Sequence, residues 1–455
     1  MHNPIANIAI VTLIAISGCT APSSNLQNEI NDIMLLKPEN KKIRNTEKIA
    51  EAMDLKSAML KSIPKDPTFM AAAAKFREKD YRVKVESASR KMQLNADATS
   101  GFMREESKLS TDNTAGISAS LRLSQLVYDG GQTDARVELA RIDSINAANS
   151  LKAIASSVAF DVASAVVEYQ TSTAQLQLLD EFSKRANKLR DQIQKLTSSG
   201  LIDKSILLSA DSEIGELNLR QLQLSEKKDR SINEILRFFQ KVPNENFVVE
   251  SPLSEINTSD LNVLWQTAPE IKSSAGALLA ARYQLRLAEA AMSPTVSANA
   301  GVSSPMSNDD PTTYSLGLVA NWTIGDGGRR KAKIDASKQS LSAAQNELDS
   351  IKQETKRKFD AGLSKKQTLI KQIKEILNKK RRADTKLQIL SDQMSTGQTN
   401  MKEILSANAA VYQISDQIIT LRSELTILQY ELARNSDSLL NFIDFDVTVS
   451  TENAK

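Results

Sequence analysis

The sequence predicts a mainly α-helical fold with a small β part, built by duplicating one unit of helix, β-hairpin and long helical hairpin. Three observations carry this. Leu126-Val127-Tyr128-Asp129-Gly130-Gly131 has a counterpart in Thr323-Ile324-Gly325-Asp326-Gly327-Gly328, with the same flanks and the aspartates 197 positions apart. Self-similarity at one offset marks a repeated unit. No Gly or Pro stands between Gly131 and Gly200, and only Gly362 interrupts Gly328 to Gly397. The stretch before each Asp-Gly-Gly alternates apolar and polar residues, the period of a half-buried strand.

Composition agrees with long helices. The chain has 455 residues, 41% hydrophobic but only 4% aromatic, and 58 basic residues stand against 55 acidic ones. That balance lacks the clustered basic excess of a nucleic-acid binder. The one histidine is His2 and the one cysteine is Cys19. Beyond residue 18 there is no His-dependent triad, no Cys-His pair and no ordinary zinc set to assemble. We expect no enzyme, no catalytic residues, no metal and no cofactor; only carboxylate or lysine chemistry stays open.

Ile5 to Ile16 is an apolar run too short for a membrane-spanning helix, which needs about 20 residues. It reads as the core of a signal peptide over residues 1–18. Ala15-Ile16-Ser17-Gly18-Cys19 resembles the bacterial lipobox, which implies lipidation of Cys19, and Thr20 is not an inner-membrane retention aspartate. Residues 19–66 form a polar N-terminal segment, with a helix expected over Ile43 to Leu60.

The first repeat is expected over 67–240 and the second over 265–442. Gly200 maps to Gly397 at the offset of 197, whereas Pro67 maps to Pro269 and Tyr81 to Tyr283 at 202. The five-residue change belongs in the loop between the two strands of each unit, where length varies freely. The first helices are expected over Phe69 to Arg90 and Ile271 to Met292. First strands follow at Leu94 to Phe102 and Val296 to Val302, with polar loops at Arg104 to Thr114 and Ser304 to Thr312. The hairpins as wholes occupy 93–127 and 294–324. In the second copy Tyr314, Leu316, Leu318, Ala320, Trp322 and Ile324 share one face of the second strand. Such a strand suits a soluble sheet or a barrel with lipid outside and water inside.

Coiled-coil hairpins are expected over 131–240 and 328–442, with return helices from Leu201 to Gln240 and Met401 to Phe442. The last shows Ile404, Ala407, Val411, Ile414, Ile418, Leu421, Leu425, Leu428 and Leu432, steps of three and four that make a heptad seam. Gly200 and Gly397 stand where each pair must reverse. Residues 241–264 connect the repeats, and 443–455 form a tail; each holds a β-like run, Phe247-Val248-Val249 and Phe445 to Val449. Four strands do not close a membrane barrel, since single-chain barrels begin at eight. Left open they expose unpaired edges. Oligomerisation answers both, giving a shared barrel on a helical tube.

At this point the plan resembles the TolC family of outer-membrane efflux and secretion channels, in its lipoprotein subtype, over roughly Pro67 to Phe442. The carriers are the two strand–Asp-Gly-Gly–helix junctions (Asp129, Gly130, Gly131; Asp326, Gly327, Gly328), Pro269 and Pro294, and the glycine turns followed by Leu-Ser-Ala. Copy one departs with Lys91-Met92 near the place of Pro294, and with Asp97 in its first strand. The resemblance implies a homotrimer with a 12-stranded barrel in outer-membrane lipid, a periplasmic α-helical barrel, and an equatorial belt from 241–264 and 443–455. It implies passive conduction, as part of a tripartite efflux pump or type I secretion system. It also implies docking of a periplasmic adaptor at Ser199, Gly200, Leu201, Thr396, Gly397 and Gln398, in partnership with an inner-membrane ABC or proton-driven transporter. An acidic gate after the second turn is matched by Glu403 but not by Ser406. The alternatives are a periplasmic adaptor lipoprotein and, less in keeping with the residues, a carboxylate-dependent periplasmic enzyme.

Gly325 to Lys331 lies where phosphate loops lie but lacks their spacings, so a bend with a helix start is the expected reading. Lys379-Lys380-Arg381-Arg382 is expected to be a solvated helix face.

Overall fold

The computed structural model describes residues 55–106, 111–238, 249–253, 263–305, 311–395 and 401–447. The leader segment, Cys19, Thr396, Gly397 and Gln398, and most of the connector and tail lie outside them. Helix α1 (Leu55–Ser62) leads into α2 (Pro67–Ala88). The first hairpin is β1 (Gln93–Glu106) and β2 (Thr111–Tyr128), followed by α3 (Gln132–Ser198) and α4 (Lys204–Phe238). The second unit is α5 (Pro269–Ala290), β3 (Thr295–Ser304), β4 (Thr313–Asn321), α6 (Arg329–Ser395) and α7 (Met401–Asn435), with α8 (Leu439–Phe442) after it.

The duplication is exact in helix length: α2 and α5 have 22 residues, α3 and α6 have 67, and α4 and α7 have 35. At 1.5 Å per residue the longest pair spans about 100 Å. Each first helix starts with proline, whose missing N–H costs nothing at that position. Asp66 caps α2 by accepting from Thr68 N and Phe69 N at 2.8 and 3.3 Å; Ala268 offers α5 no such side chain.

The strands form one antiparallel sheet in the order β1-β2-β3-β4, so β2 and β3 join the two repeats. Cross-strand partners share a face, which gives whole rows. Leu94, Leu123, Ala300 and Leu316 form one row, and Ala96, Leu121, Val302 and Tyr314 the next. The opposite face carries the rows Asn95, Arg122, Gly301, Ser315 and Asp97, Ser120, Ser303, Thr313. Asp97 therefore sits on the polar face, where Ser120 Oγ lies 3.5 Å from its carboxylate. The apolar face is bare: Leu316 is 84% exposed and Tyr314 80%.

Three boundaries differ from expectation. β1 and β2 pair out to Glu106 and Thr111, through residues expected as loop; backbone pairing needs no apolar side chain, so the longer copy extends its hairpin in polar residues. β4 ends at Asn321 although the alternation continues to Ile324. As an edge strand of one chain it lacks a second neighbour, and Trp322 Nε1 donates instead to Met292 O at 3.1 Å. The last helix breaks after Asn435, not Phe442. Asp437 takes φ +55°, and Ser438 N reaches back to Ala433 O at 2.9 Å, ending α7 before α8 begins.

Helix neighbours define a layer. Near the sheet, α3 lies between α2 and α5, and α5 contacts α6; toward the far end, α4, α3, α7 and α6 are adjacent in that order. Alanines, valines and leucines are more frequent in α3 than in its counterpart α6, because α3 has neighbours on several sides. The heptad seam of α7 is buried at Ile404, Ala407, Val411, Ile414, Ile418, Leu428 and Leu432 and half-buried at Leu421 and Leu425. Gly362 has its place here: a Cβ would meet Leu432 Cδ2 at 2.6 Å, so the missing side chain lets the seam close.

At mid-length the main core gathers α1, α2, α3, α6, α7 and α8 around Phe69, Val162, Phe359 and Tyr430. The described pieces of connector and tail join it. Leu253 and Val447 are buried in it, Tyr430 Oη donates to Glu250 O at 2.8 Å, and Phe445 meets Phe69 edge-on at 6.0 Å. Phe445 and Asp446 are irregular rather than strand, because Phe445 is spent on this packing.

Candidate functional site

Two kinds of site were expected: the strand–helix junctions and the hairpin tips. The junctions are built alike. Gly130 and Gly131 have φ +67° and +90°, and Gly327 and Gly328 have +66° and +89°, a left-handed pair that few other residues adopt. Asp129 then accepts from Gly131 N at 3.0 Å and Thr133 N at 2.6 Å. Asp326 accepts from Gly328 N at 3.1 Å and Arg330 N at 3.0 Å. Each aspartate thus caps a 67-residue helix at its positive end.

Burial opposes both charges. The hydrogen bonds from Thr133 and Gly131, with Arg90 nearby, outweigh it and hold the Asp129 carboxyl below its ordinary range. At Asp326 the bonds from Arg330 and Gly328 do the same. Arg330 also donates to Ala291 O and Thr323 O. Its guanidinium is occupied by protein carbonyls and by Asp326, which explains why this Gly-rich turn is no phosphate loop. Copy one has no such arginine; there Gly130 packs so tightly that a Cβ would lie 2.4 Å from Ser293 Cβ.

At the first tip, α3 ends in a Schellman turn. Gly200 has φ +72°, Gly200 N donates to Thr197 O at 3.1 Å and Leu201 N to Leu196 O at 3.0 Å. Ser199 Oγ folds back on Lys195 O at 2.9 Å, and Leu201 projects into solvent, 71% exposed. Asp203 caps the return helix through Ser205 N at 2.6 Å; the Ser205 side-chain and backbone bonds hold its carboxyl low. In the second tip Glu403 sits exposed in the first turn of α7, and Ser406 Oγ bonds Lys402 O at 3.0 Å. The ends of α3 and α4 lie level with those of α6 and α7, since Ile193 and Ala210 pack with Leu390 and Ile404 in one cluster.

One constellation was not foreseen. Gln175 Nε2 of α3 donates to Asp416 Oδ1 of α7 at 2.7 Å and lies 3.3 Å from Thr420 Oγ1; Arg220 of α4 donates to Asp416 Oδ2 at 3.1 Å. Below it Phe182 stacks on Tyr412, centroids 4.7 Å apart. Together they tie the first hairpin to the second. Asp416 lies off the heptad seam, and only its position beside Ile414 and Ile418 marked it in the sequence. The basic run of α6 is solvent-facing as expected, with Lys380 paired to Asp384 at 2.7 Å.

A bare apolar sheet face, a polar face behind it and a level pair of helical hairpins define a wall segment of a membrane channel. The outer membrane efflux protein family model matches residues 61–237 and 261–435, and the chain belongs to that family. No curated protein matches it by sequence. Among solved structures it is similar to the CusC channel, at 18% identity and TM-score 0.74, over 86% of this chain and 92% of that one. A membrane protein from Pseudomonas aeruginosa gives 16% and 0.75, over 85% and 91%. The outer membrane protein VceC from Vibrio cholerae gives 15% and 0.72, over 86% and 95%. At such identities these structures speak for the fold, and the family is one of channels rather than enzymes.

Proposed function

We propose that the protein is the outer-membrane exit channel of a tripartite efflux pump or type I secretion system, conducting substrate passively while an inner-membrane ABC or proton-driven transporter supplies the energy. The observation that carries this is the four-stranded sheet with one continuous apolar face, one polar face and two unpaired edges. Joining β4 of one copy to β1 of the next relieves both edges, puts the apolar rows against lipid and leaves the polar rows around water. Three copies give the homotrimer and the 12-stranded barrel, with the 67-residue helices as a periplasmic tube. Ser199, Gly200, Leu201, Thr396, Gly397 and Gln398 at the tube's end meet a periplasmic adaptor; Glu403 lines the closure there. Cys19 carries a lipid anchor.

Purified protein added to a planar lipid bilayer tests this. Discrete conductance steps from a trimer are expected; a trimer that never conducts overturns the channel reading. Fractionation with the inner membrane would favour an adaptor lipoprotein instead.

A further inference from the structure

The polar face of the sheet is almost without charge. The row on the helix side of Arg122 is Gln93, Ser124, Asn299 and Gly317. Beyond the Asp97 row the face holds only Thr, Ser and Gly as far as Gly101. Within this span, among the described residues, Arg122 and Asp97 are the two charged side chains on the face. They stand one row apart on neighbouring strands, Arg122 nearer the helices and Asp97 nearer the end of the hairpin.

The two charges are not equals. Asp97 is short, and Ser120 Oγ lies 3.5 Å from its carboxylate, so its charge stays at the wall. Arg122 is exposed, with Asn95 on one flank and Gly301, which has no side chain, on the other. No ion pair holds its guanidinium among the described residues. Its side chain is several bonds longer than that of Asp97. In a water-filled barrel it therefore carries positive charge off the wall and toward the axis, while the carboxylate lies behind. A charge nearer the axis acts more strongly on a solute passing there, since the Coulomb energy falls with distance.

We infer that Arg122 is a selectivity residue of the barrel. One guanidinium from each copy forms a positive ring in the lumen that favours anionic solutes, carboxylates and phosphates among them, over cations of the same size. Rings of Arg or Lys select anions in pores generally, and a guanidinium matches a carboxylate or phosphate through two parallel hydrogen bonds. The neutral rows around the ring offer such a solute no second charge of that sign, so the contact is weak enough to release it, as conduction requires. The inference rests on the channel reading above, with the polar face around water.

The test is single-channel recording of the full-length trimer in a planar bilayer under a potassium chloride gradient. Arg122→Ser should lower the anion-to-cation permeability ratio by about threefold or more. Arg122→Lys should keep the ratio near that of the unaltered chain, and Asp97→Ser should raise it by a smaller factor. Arg122→Cys separates charge from folding: a cationic thiol reagent should restore the ratio and an anionic one lower it further. Neither reagent should act on the unaltered chain, whose one cysteine is Cys19. An unchanged ratio in Arg122→Ser, from a trimer that conducts, overturns the inference and leaves the channel standing. A shift from Asp97→Ser as large as that from Arg122→Ser also overturns it, because the carboxylate then weighs as much as the guanidinium. A trimer that never conducts overturns the channel reading, and this inference with it.

Discussion

At the scale of residues, the two junctions look alike in sequence but differ in tolerance. Alanine at Gly327 meets open space and suffers the left-handed backbone alone, about 1–2 kcal/mol. Alanine at Gly130 suffers the same and also strikes Ser293 and Ala290 O. We expect Gly130→Ala to lower the melting temperature in detergent clearly more than Gly327→Ala; equal losses would refute the packing argument. The caps add a pH dependence. The Asp129 and Asp326 carboxyls lie below their ordinary values in the folded chain. Their stabilisation is therefore full above the ordinary carboxylate range and disappears as pH falls through the lowered values. Asp129→Asn with Asp326→Asn should lower stability at neutral pH and flatten its decline in acid, as followed by thermal melts across pH.

At the scale of elements, what holds the hairpins together is the contact of α3 with α7. Phe182 is wholly buried against Tyr412, so Phe182→Ala should cost about 3–5 kcal/mol. Asp416→Ala strips a partner from Gln175 and Arg220. Because Arg220 is 40% exposed, water replaces part of that bond, and a smaller loss of about 1–3 kcal/mol is expected. Hydrogen exchange of the α7 amides gives the readout: both variants should speed exchange near Tyr412, the first more than the second.

At the scale of the whole molecule, the faces of the sheet set the strongest contrast. Leu316→Arg places a charge on the apolar face and should cost about 2–4 kcal/mol if it lies at mid-membrane, seen as loss of membrane-inserted trimer. Ser315→Arg, one residue away on the polar face, should insert normally and shift ion selectivity. Equal behaviour of the pair would show that the apolar rows do not face lipid. Much of this was legible in advance. The Asp-Gly-Gly twins marked the junctions, and the Ile404 to Leu432 steps marked the seam. Asp97 was not legible in its own strand, since a weakly apolar strand shows its face only through its partners Ser120, Ser303 and Thr313.

The sequence by itself determined the duplication, the length of the two longest helices, the junctions and the turn at Gly200, because these depend on local periodicity and on glycine's freedom at positive φ. Only the tertiary structure decided the order of strands and helices, the face on which Asp97 lies, the break at Asp437 and the bridge through Asp416. Those depend on which distant segments meet, and residues such as Gln175 and Asp416, 241 positions apart, carry no local sign of each other. The two open edges belong to the same class, for an edge exists only once the order of neighbours is known.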